Sequence, residues 1–441
     1  MTQRAASGAA PTAPRLGPRP LPLHLTAAAL AWTSSLAALP LLRQDSPLWK
    51  AGSAQPSHAE TAANLRQNLA ASDPEAFAEA LGREARTRAL ALLDGILAYR
   101  RHPYRRDLTP APCVWAEGST RLLDYGAIGA DGADGGIPVL VVPSLVNRAY
   151  ILDLDAETSL LRWLAARGLR PYLVDWDRPG AAERGFTLTD YIAGRLEGAL
   201  EAVRDRHQAP PLVIGYCMGG NLALALALRR HDDIAGLALM ATPWDFHAEA
   251  DRSAALAVAA AAALSPSMDA LGEMTIDAIQ SLFASLDPLL VARKFIGFSR
   301  LDPNSRKARL FVALEDWLND GVPLTAPVAR ECLIGWYGEN TPARGHWRIA
   351  GRPVDPAALK MPSLCLIPAQ DRIVPPASAA ALGAAIPGAQ VLQPPIGHIG
   401  MVVSGGAKDR IWSPLAEWLL ARGAGHTGPR KRAGAKTVKK T

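Results

Sequence analysis

The hexapeptide Gly215-Tyr216-Cys217-Met218-Gly219-Gly220 constrains this chain more than any other feature. It follows the apolar run Pro211-Leu212-Val213-Ile214 and precedes Asn221-Leu222-Ala223-Leu224-Ala225-Leu226-Ala227-Leu228, a run of good helix formers. Strand, tight turn and helix come in the order that a G-x-nucleophile-x-G turn requires, with Cys217 at the nucleophile position. Gly215 and Gly219 supply a close backbone approach that a side chain would block. A cysteine in a Gly-rich turn is also ordinary packing when it stands alone, so its surroundings decide.

Those surroundings alternate. Ile137–Val142 is a continuous apolar, β-branched run, as a buried parallel strand should be. An amphipathic helix is expected over Asp155–Ala166, a strand over Pro171–Trp176, and a helix from the capping box Thr187-Leu188-Thr189-Asp190 to about Arg206. Strands at Pro211–Ile214 and Ile234–Met240 follow, then Ser363–Pro368 and a last one around Gln390–Leu392, before a closing helix around Trp412–Leu420. Strands alternating with helices predict an α/β class protein with a mostly parallel, doubly wound sheet, and the nucleophile turn specifies the α/β-hydrolase fold. The alternation breaks between about residues 247 and 349, which are expected to form a helical cap over the site or, in the plainer alternative, helices against the sheet edge.

A nucleophile in this fold needs an acid and a histidine after it, in that order. Asp371 stands in Gln370-Asp371-Arg372-Ile373-Val374-Pro375-Pro376, just past the carboxyl end of a strand, where open α/β sheets place their sites. His398 stands in Pro395-Ile396-Gly397-His398-Ile399-Gly400, in a Gly-flanked loop free to reach across the strand ends. Each has a bland role as well, Asp371 as a helix cap and His398 as a solvated loop residue; their order and context favour a Cys217-His398-Asp371 triad. A free thiol near pKa 8.5 is a poor nucleophile at neutral pH, so His398 must take its proton, and Asp371 must hold the imidazole. The oxyanion needs two donors; the expected ones are the backbone N–H groups of Met218, at the start of the helix, and Val146, in the loop after Ile137–Val142. His231, His247 and His346 have no comparable setting and are expected to be structural.

The four cysteines, Cys113, Cys217, Cys332 and Cys365, are scattered without metal spacing and suggest free thiols in a reducing compartment, with no metal site. The net charge of +6 comes from Arg430, Lys431, Arg432, Lys436, Lys439 and Lys440; removing these six from the 47 basic residues leaves 41, equal to the 41 acidic ones. The basicity therefore belongs to a solvated tail over 421–441 and implies no nucleic-acid-binding domain. Residues 1–24 are expected to be disordered, and 44–74 to be a linker. Leu25–Leu42 is apolar but short and interrupted by Thr, Ser and Pro, which reads as a short helix on a core or an apolar surface and predicts no transmembrane span. The whole divides into an N-terminal region over 1–74, a catalytic domain over 75–420 and the tail.

Several segments resemble the poly(3-hydroxyalkanoate) synthases over roughly residues 120–420. They are Pro143-Ser144-Leu145-Val146-Asn147-Arg148-Ala149-Tyr150-Ile151-Leu152-Asp153-Leu154, Val174-Asp175-Trp176, Asp190-Tyr191-Ile192, the Gly215–Gly220 box and Thr242-Pro243-Trp244-Asp245-Phe246. The segments around Asp371 and Gly397-His398-Ile399-Gly400-Met401-Val402-Val403-Ser404-Gly405 share the likeness, the last being similar to the class III catalytic subunit, which acts with a second subunit. The resemblance implies an acyltransferase that moves 3-hydroxyacyl groups from coenzyme A to a growing polyester, with Cys217 holding the chain as a thioester. It implies no cofactor beyond the coenzyme A thioester substrate, a cytoplasmic enzyme at a polyester granule surface, a possible second synthase subunit and a homodimer. The first 75 residues and the basic tail depart from the class III pattern, and the cap matches it loosely. Two other readings use the same residues: an intracellular depolymerase or thioesterase, in which water resolves the acyl-enzyme, and a non-catalytic granule-associated protein.

Overall fold

The computed structural model describes residues 14–42, 56–128, 135–248 and 251–423, and the chain divides into two compact units. One comprises residues 106–279 and 320–441 and carries the central sheet; the other comprises residues 1–105 and 280–319.

The sheet has eight strands: β1 (Cys113–Glu117), β2 (Thr120–Asp124), β3 (Ile137–Val142), β4 (Leu169–Asp175), β5 (Leu212–Tyr216), β6 (Gly236–Met240), β7 (Ser363–Leu366) and β8 (Gln390–Leu392). Their spatial order is β1-β2-β4-β3-β5-β6-β7-β8. The β1–β2 and β2–β4 pairs are antiparallel, and every pair from β4 to β8 is parallel. β3, β5 and β6 are buried along their whole length, because their apolar residues face helices on both sides. Val139, Leu140, Val141 and Val142 are all sealed from solvent, and each such side chain contributes up to about 1.5–3 kcal/mol of burial. This is the α/β-hydrolase architecture the sequence predicts.

Strand limits at 137–142 and 390–392 match the expectation residue for residue. The helix expected over Asp155–Ala166 is confined to Leu160–Ala165. Asp155 Oδ1 accepts the N–H groups of Glu157 and Thr158 and so forms a turn, and Ser159 Oγ then caps the helix by accepting from Arg162 N–H. The Thr187–Asp190 capping box is present and opens a helical stretch that runs through a wide turn at Tyr191–Leu196 to His207. A hairpin turn at Gly118-Ser119 joins β1 to β2, and residues 129–134 lie outside the described residues. Gly118 takes a positive φ of 57° there, as a tight turn of this kind requires.

The other unit is helical. Pro74–Arg101 turns Leu92, Gly95, Ile96 and Tyr99 inward against Phe295 and Phe298 of Leu290–Phe298, Ala308 and Val312 of Arg306–Asn319, and Ala28 of Leu21–Leu42. Gly95 permits this approach, since a Cβ there would lie 2.1 Å from the Phe295 carbonyl oxygen. Three expectations are corrected here. The 44–74 tract contains a helix over Pro56–Ala71, because His58 to Ala71 are mostly good helix formers behind a Pro-Ser start. The apolar helix begins at Leu21 and spans 22 residues, and Arg15 before it is bonded to Asp316 at 2.6 Å. The insertion is not one cap: residues 280–319 belong to the helical unit, whereas 247–279 and 320–349 stay with the sheet. Among the described residues, Leu21–Leu42 and Ala254–Leu271 are long and apolar enough to cross a membrane by length and composition. The basic tail lies outside the described residues from 424 onward.

Candidate active site

β5 delivers Cys217 to the end of the sheet. Its pairing with β6 brings Tyr216 opposite Met240, and the next N–H, that of Cys217, donates to the Met240 carbonyl at 2.8 Å. The backbone then reverses sharply, with Cys217 at φ 56° and ψ −130°, before the helix Met218–Arg229. A non-glycine residue there is strained by about 1–3 kcal/mol, held in place by its surroundings. Those surroundings are tight. A Cβ on Gly215 would lie 2.5 Å from Gly220 Cα, one on Gly219 would lie 2.2 Å from the Val142 carbonyl oxygen, and one on Gly220 would meet Thr242 Oγ1 at 1.8 Å. The sequence pattern points to the first two glycines; Gly220 is a third that packing alone reveals.

Asp371 follows β7 in a tight turn. Its Oδ1 accepts the N–H groups of Ile373 at 2.8 Å and Val374 at 2.9 Å. The segment that carries His398 is laced to the Asp371 segment by Ala369 N–H to Pro394 O (2.9 Å) and Gln370 N–H to Ile396 O (3.0 Å). The remaining Asp371 oxygen, Oδ2, accepts from His398 Nδ1–H at 2.6 Å, with both side chains buried. This bond assigns the tautomer and leaves the other ring nitrogen to Cys217, with which His398 is hydrogen-bonded. Tyr216 sits beside the imidazole, the two ring centroids 5.4 Å apart, and donates its hydroxyl to the His398 carbonyl at 3.2 Å. The three residues expected to act together are therefore together.

The electrostatics favour a protonated ring. Burial by itself lowers the pKa of His398, but the charge of Cys217 and the hydrogen bonds to Asp371 and Cys217 outweigh it and push the value up to about 10. An imidazolium wedged between a sulfur and a carboxylate is the arrangement that keeps a cysteine ready to attack.

The expected oxyanion donors fare differently. Met218 begins the nucleophile helix, so its N–H is one of the four that no helical carbonyl accepts. Val146 is not free: its N–H donates to Ser144 Oγ at 2.9 Å. The Pro143–Asn147 loop is pinned by Trp176 Nε1–H to Pro143 O at 3.1 Å, and Asn147 takes a positive φ of 65°. The Ser144-x-Val146 spacing is the sequence signal for this turn, because a serine hydroxyl readily accepts the N–H two residues on. His231 and His247 hold backbone groups: His231 Nε2 accepts Lys360 N–H at 3.2 Å, and His247 Nε2–H donates to Tyr337 O at 2.8 Å. All four cysteines are free thiols.

Residues 137–404 match the model of the α/β hydrolase fold family. The chain is 33% identical over 295 residues to the poly(3-hydroxyalkanoate) polymerase subunit PhaC of Synechocystis sp., covering 65% of this chain and 78% of that protein. It is 28% identical over 318 residues to the protein of the same name from Haloferax mediterranei, covering 71% and 64% of the two chains. With that of Allochromatium vinosum it shares 28% over 319 residues, covering 71% and 89%. Identity at that level across more than two thirds of the Synechocystis protein makes this chain a member of the poly(3-hydroxyalkanoate) polymerase family within the α/β hydrolases.

Proposed function

We propose that this enzyme polymerises 3-hydroxyacyl groups, supplied as coenzyme A thioesters, into polyhydroxyalkanoate, with Cys217 as the covalent carrier. The observation that carries this reading is the Cys217–His398–Asp371 chain of hydrogen bonds at the strand ends, in a member of a family named for that polymerisation.

In the first half-reaction the Cys217 sulfur attacks the thioester carbonyl carbon. The C–S bond to coenzyme A breaks, and the departing thiolate takes the proton from His398. The charge that builds on the carbonyl oxygen is met by Met218 N–H and by Val146 N–H once it exchanges its bond to Ser144 Oγ. In the second half-reaction the 3-hydroxyl of an incoming unit gives its proton to His398 and attacks the acyl-cysteine carbonyl. An ester C–O bond forms, the C–S bond to Cys217 breaks, and the chain is longer by one unit. Asp371 holds the imidazole orientation throughout and stabilises the imidazolium. Thioester-to-thioester exchange is nearly isoenergetic, so a thiol suits a carrier that must wait for an alcohol. No cofactor beyond the coenzyme A thioester substrate takes part. The site of action is the cytoplasmic surface of the polyester granule, and the relatives' designation as subunits supports action with a further chain.

The test is incubation of the purified chain with 3-hydroxybutyryl-coenzyme A, following thiol release and product size together. Thiol release with polymer, absent in Cys217→Ala, is the expected result. Thiol release with free 3-hydroxy acid alone makes water the acceptor and the enzyme a thioesterase or depolymerase.

A further inference from the structure

The residue before the nucleophile, Tyr216, takes no part in the bond-making steps. It ends β5 and is buried, and two contacts carry its side chain to the histidine loop. Its hydroxyl donates to the His398 carbonyl at 3.2 Å, and its ring centroid lies 5.4 Å from that of the imidazole at an interplanar angle of 32°. The hydroxyl is the last of a run of anchors on successive carbonyls of this loop. Pro394 O accepts from Ala369 N–H at 2.9 Å and Ile396 O from Gln370 N–H at 3.0 Å, both from the segment that carries Asp371. Pro395 O accepts from Arg410 Nη1 at 3.1 Å, and Gly397 O from Met401 N–H at 3.0 Å in the short helix that follows. These four place the loop against Asp371 and against the end of the chain. The fifth, from Tyr216 to the carbonyl of His398 itself, runs to the strand that delivers the sulfur.

The ring bears on charge. His398 is buried, and in the proposed reaction it holds a proton between the two half-reactions. Around it stand Tyr216 and Cys217 from β5 and its elbow, Asp371 from the turn after β7, and the Arg410 guanidinium on the neighbouring Pro395 carbonyl. A tilt of 32° is nearer to stacked than to edge-on. A cation within about 6 Å of a tyrosine ring centroid is attracted by the ring quadrupole, and more strongly where water is excluded. Burial first, then Cys217 and Asp371, hold the phenol of Tyr216 well above its ordinary range, so it stays a neutral donor and brings no charge of its own.

We infer that Tyr216 is a positioning residue: its hydroxyl holds the His398 backbone to the nucleophile strand, and its ring stabilises the imidazolium beside Cys217. This rests on the acyl-cysteine chemistry proposed above. It gives the second residue of the Gly-Tyr-Cys-Met-Gly-Gly box a task of its own, acting on the reaction through His398 without touching the substrate.

Two variants separate the parts. Tyr216→Phe keeps the ring and removes the hydroxyl. Its kcat for coenzyme A release from 3-hydroxybutyryl-coenzyme A is expected to fall about threefold to tenfold, with KM changed less than about twofold. Tyr216→Leu removes the ring as well. The charge of His398 is followed by NMR of the full chain carrying isotope-labelled histidine, its signal identified by loss in His398→Gln. The His398 titration midpoint should drop by about 0.5 to 1.5 pH units in Tyr216→Leu and stay within about 0.2 units of wild type in Tyr216→Phe. A role confined to packing would lower the stability of both variants and move neither midpoint. An unmoved or raised midpoint in Tyr216→Leu overturns the inference, and so does wild-type kcat in Tyr216→Phe. If Tyr216→Leu does not fold, kcat in Tyr216→Phe decides. The titration needs no substrate. A wild-type chain that releases nothing from 3-hydroxybutyryl-coenzyme A therefore defeats the proposed function, and the ring comparison still judges Tyr216.

Discussion

Among the buried carboxylates of the sheet-bearing unit, Asp153 and Asp371 are neutralised in opposite ways. Asp153, at the end of the loop after β3, receives Arg106 Nη2 at 2.9 Å, Arg162 Nε at 2.7 Å and the Tyr125 hydroxyl at 3.1 Å. Asp371, after β7, receives two backbone N–H groups and one imidazole. Arginine keeps its charge under all working conditions, so Asp153 is a fixed clamp on the Pro143–Asp153 loop. The partner of Asp371 is a ring whose charge changes in every turnover of the proposed mechanism. Burial of an acid thus says little about its use; the titratability of what it faces says more.

The sharpest way to break this contrast is to neutralise each acid in turn. Asp371→Asn should lower kcat for coenzyme A release by about 10³–10⁴-fold, through loss of the correct tautomer, with the fold retained. An Asp371→Asn enzyme retaining a tenth of wild-type kcat would remove Asp371 from the mechanism. Asp153→Ala should do the reverse. Removing the carboxylate that Arg106, Arg162 and the Tyr125 hydroxyl share costs about 3 kcal/mol, because both guanidinium groups keep backbone carbonyl partners, Arg106 on Asp153 O and Arg162 on Thr109 O; the loss is readable as a shifted urea midpoint, and the triad chemistry of the folded fraction should persist.

A smaller effect separates the two regions by pH. The folded-state pKa of His398, about 10, lies above the unfolded value of 6.5. Its contribution to stability is therefore complete below about pH 6.5 and is lost as pH rises through about 10. Melting temperatures from pH 7 to 10.5 should decline in wild type and in Asp153→Ala, and flatten in His398→Gln. An unchanged slope in His398→Gln would place the alkaline-labile group elsewhere. The smallest expected change is Tyr125→Phe, which takes one donor from Asp153 and should cost about 1.5 kcal/mol in the same urea titration, with no effect on kcat.

The same contrast explains what could be read without coordinates. Cys217, Asp371 and His398 were legible because each is a side chain tied to a strand end, and strands β3, β5 and β6 announce themselves by unbroken apolar runs. The oxyanion donors were not, because a backbone N–H has no letter; only the Ser144-x-Val146 spacing hinted that one was occupied. The 247–349 tract hid its division, since amphipathic helices such as Ile276–Leu286 and Arg306–Asn319 carry the same periodicity whichever unit they join. The β1–β2 hairpin escaped notice because its short strands are only partly buried and mixed in polarity.

The left-handed backbone at Cys217 has a consequence for the lineage as well as for the reaction. At φ 56° and ψ −130°, glycine is the residue the main chain prefers. Any drift there toward a more stable protein runs through the loss of the sulfur. Stability and the proposed chemistry therefore pull in opposite directions at this one position.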